Sequence, residues 1–252
     1  MILVNIILSG CCGKMGRVIR DCVDKRDDCR IVEGVDLVSD PQADFPIVSN
    51  FCDIETNADV IIDFSHPSVL DSLLEYAENT GVAVVLATTG YSEEQVAKIH
   101  EYAKRIPLFF TFNMSLGINL MVELVKKATC ILSDGFDIEV VEAHHNQKVD
   151  APSGTAIMLT NAIQSALNED YNIVYDRHST RNKRDAKEIG VHSIRGGTIV
   201  GEHSVIFAGH DEIFKLSHSA GSKEIFAVGS LKAALFIVGK PVGLYSMSDM
   251  ML

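Results

Sequence analysis

One short segment of the chain concentrates side chains that can move protons. Residues 143–155 read AHHNQKVDAPSGT, with His144 and His145 adjacent and Lys148 close behind. Histidine exchanges protons near neutral pH, and lysine carries a full positive charge. Ser153 is a good helix N-cap, so the segment ends where a helix begins and where backbone N–H groups attract an anion. The segment therefore predicts proton transfer to an anionic, unsaturated substrate.

Two other interpretations of the adjacent histidines stay open from the residues alone. Neighbouring side chains point in different directions in a strand or loop, and one of the two can be purely structural. The pair with Asp150 is also compatible with part of a metal site, but no further cysteine or glutamate stands at ligand spacing. We therefore expect no metal here.

A second segment has the pattern of a dinucleotide-binding loop. SGCCGKMG follows an apolar run and precedes a helical pattern, and its glycines are Gly10, Gly13 and Gly16. The usual spacing is G-x-G-x-x-G, and Cys12 stands at the place of its second glycine. Glycines let the backbone approach a pyrophosphate, which then rests on N–H groups at the helix N-terminus.

An acidic residue follows at the position that reads a ribose. Asp36 ends the second predicted strand, where a carboxylate accepts hydrogen bonds from the ribose diol of NADH and repels the 2′-phosphate of NADPH. Leu37 adds no positive charge, although Lys14 can partly compensate. A merely solvated Asp36 fits the β-α-β context less well. We predict NADH as the preferred cofactor and NADPH as a less favoured one.

The composition limits the classes of partner. The 252 residues carry a net charge of −12, which argues against nucleic acid or an acidic membrane surface as a partner. No apolar run approaches the length of a membrane span.

The six cysteines form no CxxC pair, which predicts reduced thiols in a cytoplasm. Adjacent Cys11 and Cys12 suggest either a redox sensor or, as we favour, small residues tolerated in the glycine loop.

Strands and helices alternate in the first half of the chain. Strands are predicted at residues 1–9, 30–36, 59–63, 82–86 and 108–110, and helices at 17–24, 68–78 and 92–103. This alternation predicts a mostly parallel, right-handed sheet.

The pattern changes after residue 115. Helices are predicted at residues 116–132, 153–167 and 223–238, and strands at 136–143, 191–195, 203–208 and 212–218. The polar, basic residues 171–188 are predicted to form a solvated loop. We predict an α/β protein with a dinucleotide-binding domain at 1–115 plus 226–252 and an inserted α+β domain at 116–225.

Several segments, in chain order, resemble the dihydrodipicolinate reductase family. They are GCCGKMG at 10–16, ATTG at 87–90, FNMSLGIN at 112–119, EAHHNQKVDAPSGTA at 142–156, SIRGG at 193–197 and GEHSVIFAG at 201–209. The resemblance implies a Rossmann domain and an inserted α+β domain whose open sheet forms a homotetramer. It also implies NAD(P)H-dependent reduction of a small dicarboxylate, 4-hydroxy-tetrahydrodipicolinate, to tetrahydrodipicolinate in lysine and diaminopimelate biosynthesis.

The same resemblance implies roles for individual residues. His144 is the implied proton donor and acceptor, and Lys148 a proton donor. Substrate-carboxylate contacts are implied for His145, Gly154 and Thr155. Cofactor contacts are implied for Gly10, Cys11, Cys12, Gly13, Lys14 and Met15 at the pyrophosphate, Asp36 at the ribose, and Ala87, Thr88, Thr89, Thr111, Phe112, Asn113 and Met114 around the nicotinamide.

Some positions depart from the residues usual in that family. Ala87 replaces a glycine near the nicotinamide, and Lys223 replaces an arginine, which loses bidentate reach toward a carboxylate. His210 and Asp211 stand where a Gly-Glu pair is common. None of these residues lies in the proton-transfer segment.

Two rival functions are less well supported by the sequence. Another nicotinamide enzyme of this architecture, such as an amino-acid dehydrogenase, gives no reason for HHNQKVDAPSGT. A non-catalytic NADH-sensing regulator predicts a DNA-binding segment or a degraded proton-transfer site, and neither is visible.

Overall fold

The computed structural model describes residues 3–179 and 181–251. The first half contains β1 (Val4–Ser9), α1 (Lys14–Val23), β2 (Cys29–Val35), β3 (Ile47–Val48), β4 (Val60–Asp63), α2 (Leu70–Thr80), β5 (Ala83–Leu86), α3 (Glu93–Tyr102) and β6 (Pro107–Phe110). The second half contains α4 (Leu116–Leu132), β7 (Asp137–His144), α5 (Gly154–Ala166), β8 (Asn172–Val174), β9 (Glu188–Arg195), β10 (Gly201–Ala208), β11 (Ile213–Ala220), α6 (Glu224–Ile237), β12 (Gly243–Tyr245) and α7 (Met247–Met251).

The chain folds into two compact units. One comprises Met1–Ser115 with Lys223–Leu252, and the other Leu116–Ser222. The expected boundary between residues 225 and 226 falls inside the first turn of α6, a helix that packs on β4, β5 and α1. Among the described residues, no helix has both the length and the apolar character needed to cross a bilayer.

The first unit is built on a parallel seven-stranded sheet in the order β12-β6-β5-β4-β1-β2-β3. Its central strands β1, β4 and β5 are apolar runs buried on both faces, as parallel strands covered by helices require. After β1, the strands β2 and β3 extend the sheet on one side of β1. The later strands, beginning with β4, extend it on the other side. Ligands of such sheets bind at the carboxyl ends of the strands beside this reversal.

The second unit is built on a five-stranded mixed sheet in the order β11-β10-β7-β9-β8. β10 runs antiparallel to β7 and β11, whereas β7, β9 and β8 are parallel. Helices α4 and α5 supply apolar side chains to a core with alternate residues of β7, β9 and β10. The predicted α/β fold, a parallel sheet with an inserted mixed-sheet unit, is confirmed.

Several predicted element boundaries were wrong. Helix α1 begins at Lys14 rather than Arg17, because Gly13 is its N-cap and the turn is shorter than the glycine spacing suggested. The predicted loop 171–188 contains β8, and β3, β12 and α7 were not predicted. Each of these pieces is short, and the strands depend on pairing with distant segments. Met1, Ile2, Thr180 and Leu252, which belonged to predicted elements or domains, lie outside the described residues.

Candidate active site

The glycine loop occupies the tight turn between β1 and α1. Gly10 has φ +77°, and a Cβ there would lie 2.6 Å from the carbonyl oxygen of Phe64. A Cβ on Gly16 would collide with the Gly10 carbonyl, so this glycine lets α1 lie against the turn. Lys14 and Met15 open α1, and their N–H groups belong to its unpaired first turn. The turn therefore has the construction of a pyrophosphate cradle.

Asp36, the residue predicted to bind the ribose, lies beside this loop. One carboxylate oxygen accepts the backbone N–H of Cys12 at 2.9 Å, and the other accepts that of Val38 at 3.2 Å. The side chain is thereby fixed against the loop. The neighbouring Leu37 is 89% exposed and brings no charge to this place.

Cys11 and Cys12 have different surroundings. Cys11 is fully buried, and a Cβ on Gly34 would lie 2.6 Å from its sulfur. Burial, together with neighbouring Cys12 and Asp36, raises the pKa of the Cys11 thiol to about 12. Within residues 3–179 and 181–251, these two cysteines and Asp36 are the one group of three or more His, Cys, Asp or Glu side chains whose ligand atoms all lie within 4.8 Å of one another. A buried thiol that stays protonated is a poor metal ligand, so we interpret Cys11 as a packing residue.

A buried carboxylate anchors the segment after β5. Thr88 donates a hydrogen bond to Asp63 at 2.6 Å, and Ser65 donates to the other oxygen of Asp63 at 2.5 Å. Burial raises the pKa of Asp63, although these hydroxyl donors oppose the shift. Ala87 is buried beside Thr88, whereas Thr89 is exposed. Asp63 ends β4 without any motif around it, so it was not among the residues predicted from the sequence.

The segment after β6 forms a compact turn at the same edge of the sheet. The Thr111 hydroxyl accepts the N–H of Asn113 at 3.3 Å and donates to its carbonyl at 3.1 Å. Phe112 is 71% exposed, with its ring 5.1 Å from that of Phe110, whereas Met114 is buried. The structure therefore collects the predicted cofactor segments at the carboxyl ends of β1, β2, β5 and β6.

In the second unit, His144 ends β7 and contacts a buried acid. Its Nδ1 atom lies 2.5 Å from the carboxylate of Glu142, which is 0% exposed. Arg195, opposite His144 on β9, donates to both oxygens of Glu142 at 2.8 and 2.9 Å. The backbone N–H of Ser153 also donates to Glu142, at 3.2 Å.

The charge state of Glu142 follows from these donors. Burial acts to raise its pKa, but hydrogen bonds from Arg195, Ser193, His144 and the Ser153 N–H outweigh burial and lower the pKa to about 2. Glu142 is consequently an ionised carboxylate throughout the neutral range.

A second histidine lies against the first. The rings of His144 and His203 meet edge to face with centroids 5.1 Å apart. Nε2 of His203 lies 3.1 Å from the hydroxyl of Ser153. Burial, followed by the nearby His144, lowers the pKa of His203 to about 4, so this side chain is neutral at physiological pH.

The remaining predicted residues lie on the loop after β7 and the start of α5. The side chain of Lys148 forms a 2.9 Å ion pair with Asp150. The backbone N–H of Lys148 donates to the carbonyl of His145 at 3.1 Å. The predicted cap is confirmed, since the Ser153 hydroxyl accepts the N–H of Ala156. Gly154 and Thr155 open α5, and a Cβ on Gly154 would meet no atom of the described chain within 4 Å.

Three residues of this cluster received no individual role from the sequence: Glu142, Arg195 and His203. Glu142 was detectable, because a strand places residues two apart on the same side and so predicts its contact with His144. Arg195 and His203 belong to the SIRGG and GEHSVIFAG segments, and only the strand pairing brings them to His144.

Comparison with known proteins gives the same family for both halves of the chain. The family model described as dihydrodipicolinate reductase, N-terminus, matches residues 4–114, and the one described as dihydrodipicolinate reductase, C-terminus, matches residues 117–251.

Individual relatives extend over nearly the whole chain. The 4-hydroxy-tetrahydrodipicolinate reductase of Clostridium novyi (strain NT) is 49% identical over 98% of both chains, and that of Caldanaerobacter subterraneus subsp. tengcongensis is 47% identical over 98% of both. A dipicolinate-bound dihydrodipicolinate reductase from Paenisporosarcina sp. TG-14 has the same fold, with a TM-score of 0.84 over 100% of both chains at 21% identity. By its sequence and in both of its halves, this chain is a member of the dihydrodipicolinate reductase family.

Proposed function

We propose that this protein catalyses the NAD(P)H-dependent reduction of 4-hydroxy-tetrahydrodipicolinate to tetrahydrodipicolinate in lysine and diaminopimelate biosynthesis. The observations that support the proposal are the contact of His144 with Glu142 and the place of Lys148 on the loop before α5, in a chain of this family. Both side chains are suited to proton transfer. The relatives named above bear the name of this reductase.

The first unit has residues suited to hold the nucleotide. We assign the pyrophosphate to the loop Gly10–Met15, the ribose to Asp36, and the nicotinamide to the segments Ala87–Thr89 and Thr111–Met114. The free N–H groups expected at the start of α1 and the fixed carboxylate of Asp36 support this assignment. Bound NADH would supply the hydride.

The second unit has residues suited to hold the substrate and deliver a proton. We assign the carboxylate contacts to His145 on the loop after β7 and to Gly154 and Thr155 at the N-terminus of α5, where the helix dipole favours an anion. The 4-hydroxyl of the substrate leaves as water before or as the hydride enters C4 of the ring. His144 and Lys148 are suited to donate the one proton that neutralises the charge left on the ring by the hydride. Histidine side chains are well suited to proton donation, because the imidazole ordinarily gains and loses a proton near neutral pH.

Three further properties are proposed: the preferred cofactor, the oligomeric state and the cellular location. We infer NADH as the preferred cofactor, because Asp36 repels a 2′-phosphate and Leu37 offers it no charge. We infer a homotetramer formed through the open face of the second sheet, where Ile194 and Ile213 are exposed. We also infer a cytoplasmic location, in keeping with six cysteines that are all free thiols.

A coupled assay tests the proposed reaction. The preceding synthase generates the substrate in place, and the loss of NADH absorbance is followed after addition of this protein. We expect NADH consumption that requires both the synthase product and this protein and that pyridine-2,6-dicarboxylate inhibits. Absence of NADH and NADPH consumption with freshly made substrate would contradict the proposal.

A further inference from the structure

The carboxylate of Glu142 is surrounded by donors. One oxygen accepts from Arg195 and from the backbone N–H of Ser153, and the other accepts from Arg195 and meets Nδ1 of His144. An ionised carboxylate accepts hydrogen bonds and has none to donate. The proton in the contact between Glu142 and His144 therefore belongs to the histidine, on Nδ1.

This contact determines which nitrogen of His144 exchanges protons. With Nδ1 committed to donation, the neutral ring has its lone pair on Nε2, and the cationic ring has its exchangeable proton there. Nε2 lies beside Gly201 on the neighbouring strand, where a Cβ would come within 3.1 Å of it. A glycine at this position leaves room next to the reactive nitrogen.

Arg195 keeps the acid in place and charged. Its two terminal nitrogens each donate a hydrogen bond to Glu142, and one of them also donates to the carbonyl of Asp150 at 2.6 Å. The arginine thus ties β7 to the loop that carries Lys148. A bidentate guanidinium also prevents Glu142 from competing with His144 for a proton.

We propose that Glu142, held by Arg195, is the positioning residue that fixes the tautomer and orientation of His144, so that Nε2 is the atom that transfers the proton to the substrate. The inference rests on the proposed function, because it assumes that His144 is the proton donor. Glu142 itself does not contact the reacting atoms in this account.

Glu142→Gln tests the role with little change of shape. A glutamine amide can donate to Nδ1 as readily as accept from it, so the preference for the Nδ1–H tautomer is lost. We expect kcat to fall by about 10- to 100-fold, a part of the 10²–10⁴ that a positioned acid–base group contributes. We expect KM for NADH and inhibition by pyridine-2,6-dicarboxylate to stay within about twofold. Glu142→Asp keeps the charge against Arg195 and, being shorter, should show an intermediate loss.

A spectroscopic readout separates positioning from general damage. In protein labelled with 15N-histidine, the imidazole signals of neutral His144, identified by their loss in His144→Gln, should report Nδ1–H in the wild type and a mixture of tautomers in Glu142→Gln. Glu123→Gln is the matched control. Glu123 is an exposed residue of α4 that pairs with Lys126, so this change should alter neither kcat nor the His144 signals.

The outcomes decide the two proposals separately. Wild-type kcat in Glu142→Gln, or an unchanged His144 tautomer in Glu142→Gln and Glu142→Asp, would overturn the positioning role while leaving the proposed function intact. A wild-type protein that consumes no NADH would refute the proposed function. In that case the tautomer comparison alone still decides whether Glu142 orients His144.

Discussion

His203 and Ser153 are joined by a hydrogen bond that couples a buried histidine to the cap of α5. The Ser153 hydroxyl lies 3.1 Å from Nε2 of His203 and accepts the N–H of Ala156. One side chain thus supports both the start of the helix proposed to bind the substrate carboxylate and the ring that packs on His144. The state of His203 should therefore affect the stability of this region.

We predict that His203 makes the protein less stable in mild acid. The folded-state pKa of about 4 lies below the ordinary 6.5, so the unfolded chain binds more protons between these values. The contribution of neutral His203 to the free energy of unfolding should be fully present above pH 6.5 and should be lost as the pH falls toward 4. The full shift in pKa corresponds to a loss on the order of 3 kcal/mol. Urea unfolding across this range should show a shallower decline for His203→Gln. His210→Gln, whose side chain is exposed, is the control, and parallel curves for wild type and His203→Gln would contradict the prediction.

Gly154→Val should weaken binding of pyridine-2,6-dicarboxylate. The space around Gly154 accommodates a side chain, so the substitution should shield the N-terminus of α5 without disturbing the fold. Loss of an anion's interaction with a helix N-terminus costs about 0.3–2 kcal/mol, which corresponds to an inhibition constant raised roughly 2- to 30-fold. Steady-state inhibition measures this constant, and NADH affinity should not change. An unaltered inhibition constant would place the carboxylate elsewhere.

NADH should be preferred over NADPH by about five- to thirty-fold in kcat/KM, because a carboxylate beside a 2′-phosphate in a partly wet site costs on the order of 1–2 kcal/mol. Leu37→Arg should narrow the preference by giving the phosphate a planar donor. Val242→Arg, which adds the same charge at another exposed position of the first unit, should leave the ratio unchanged. A wild-type preference for NADPH would show that Asp36 does not read the ribose.

The fold was predictable where local pattern decides it. Apolar runs such as β1 and β5 identify buried strands, and the glycines between β1 and α1 identify the turn. The strands β3, β8 and β12 have only two or three residues and form because a distant strand offers an edge. No local periodicity exists over so short a piece, and sequence reasoning therefore omitted them.

The candidate site was also predictable only where its residues are close in the sequence. His144, Lys148 and the Ser153 cap lie within one short segment and were predicted together. Arg195 reaches Glu142 from 53 positions away, through the pairing of β7 with β9. Its role depends on strand register, which a single sequence does not specify without knowing which strands are neighbours.

Replacement of the two proposed proton donors addresses the central claim most directly. His144→Gln and Lys148→Met each remove a transferable proton while keeping side-chain size. Each should lower kcat in the coupled assay by roughly 10²–10⁴ with NADH affinity nearly unchanged. His210→Gln, at an exposed position of the same unit, should retain wild-type turnover. Turnover near the wild-type value in either His144→Gln or Lys148→Met would contradict the account.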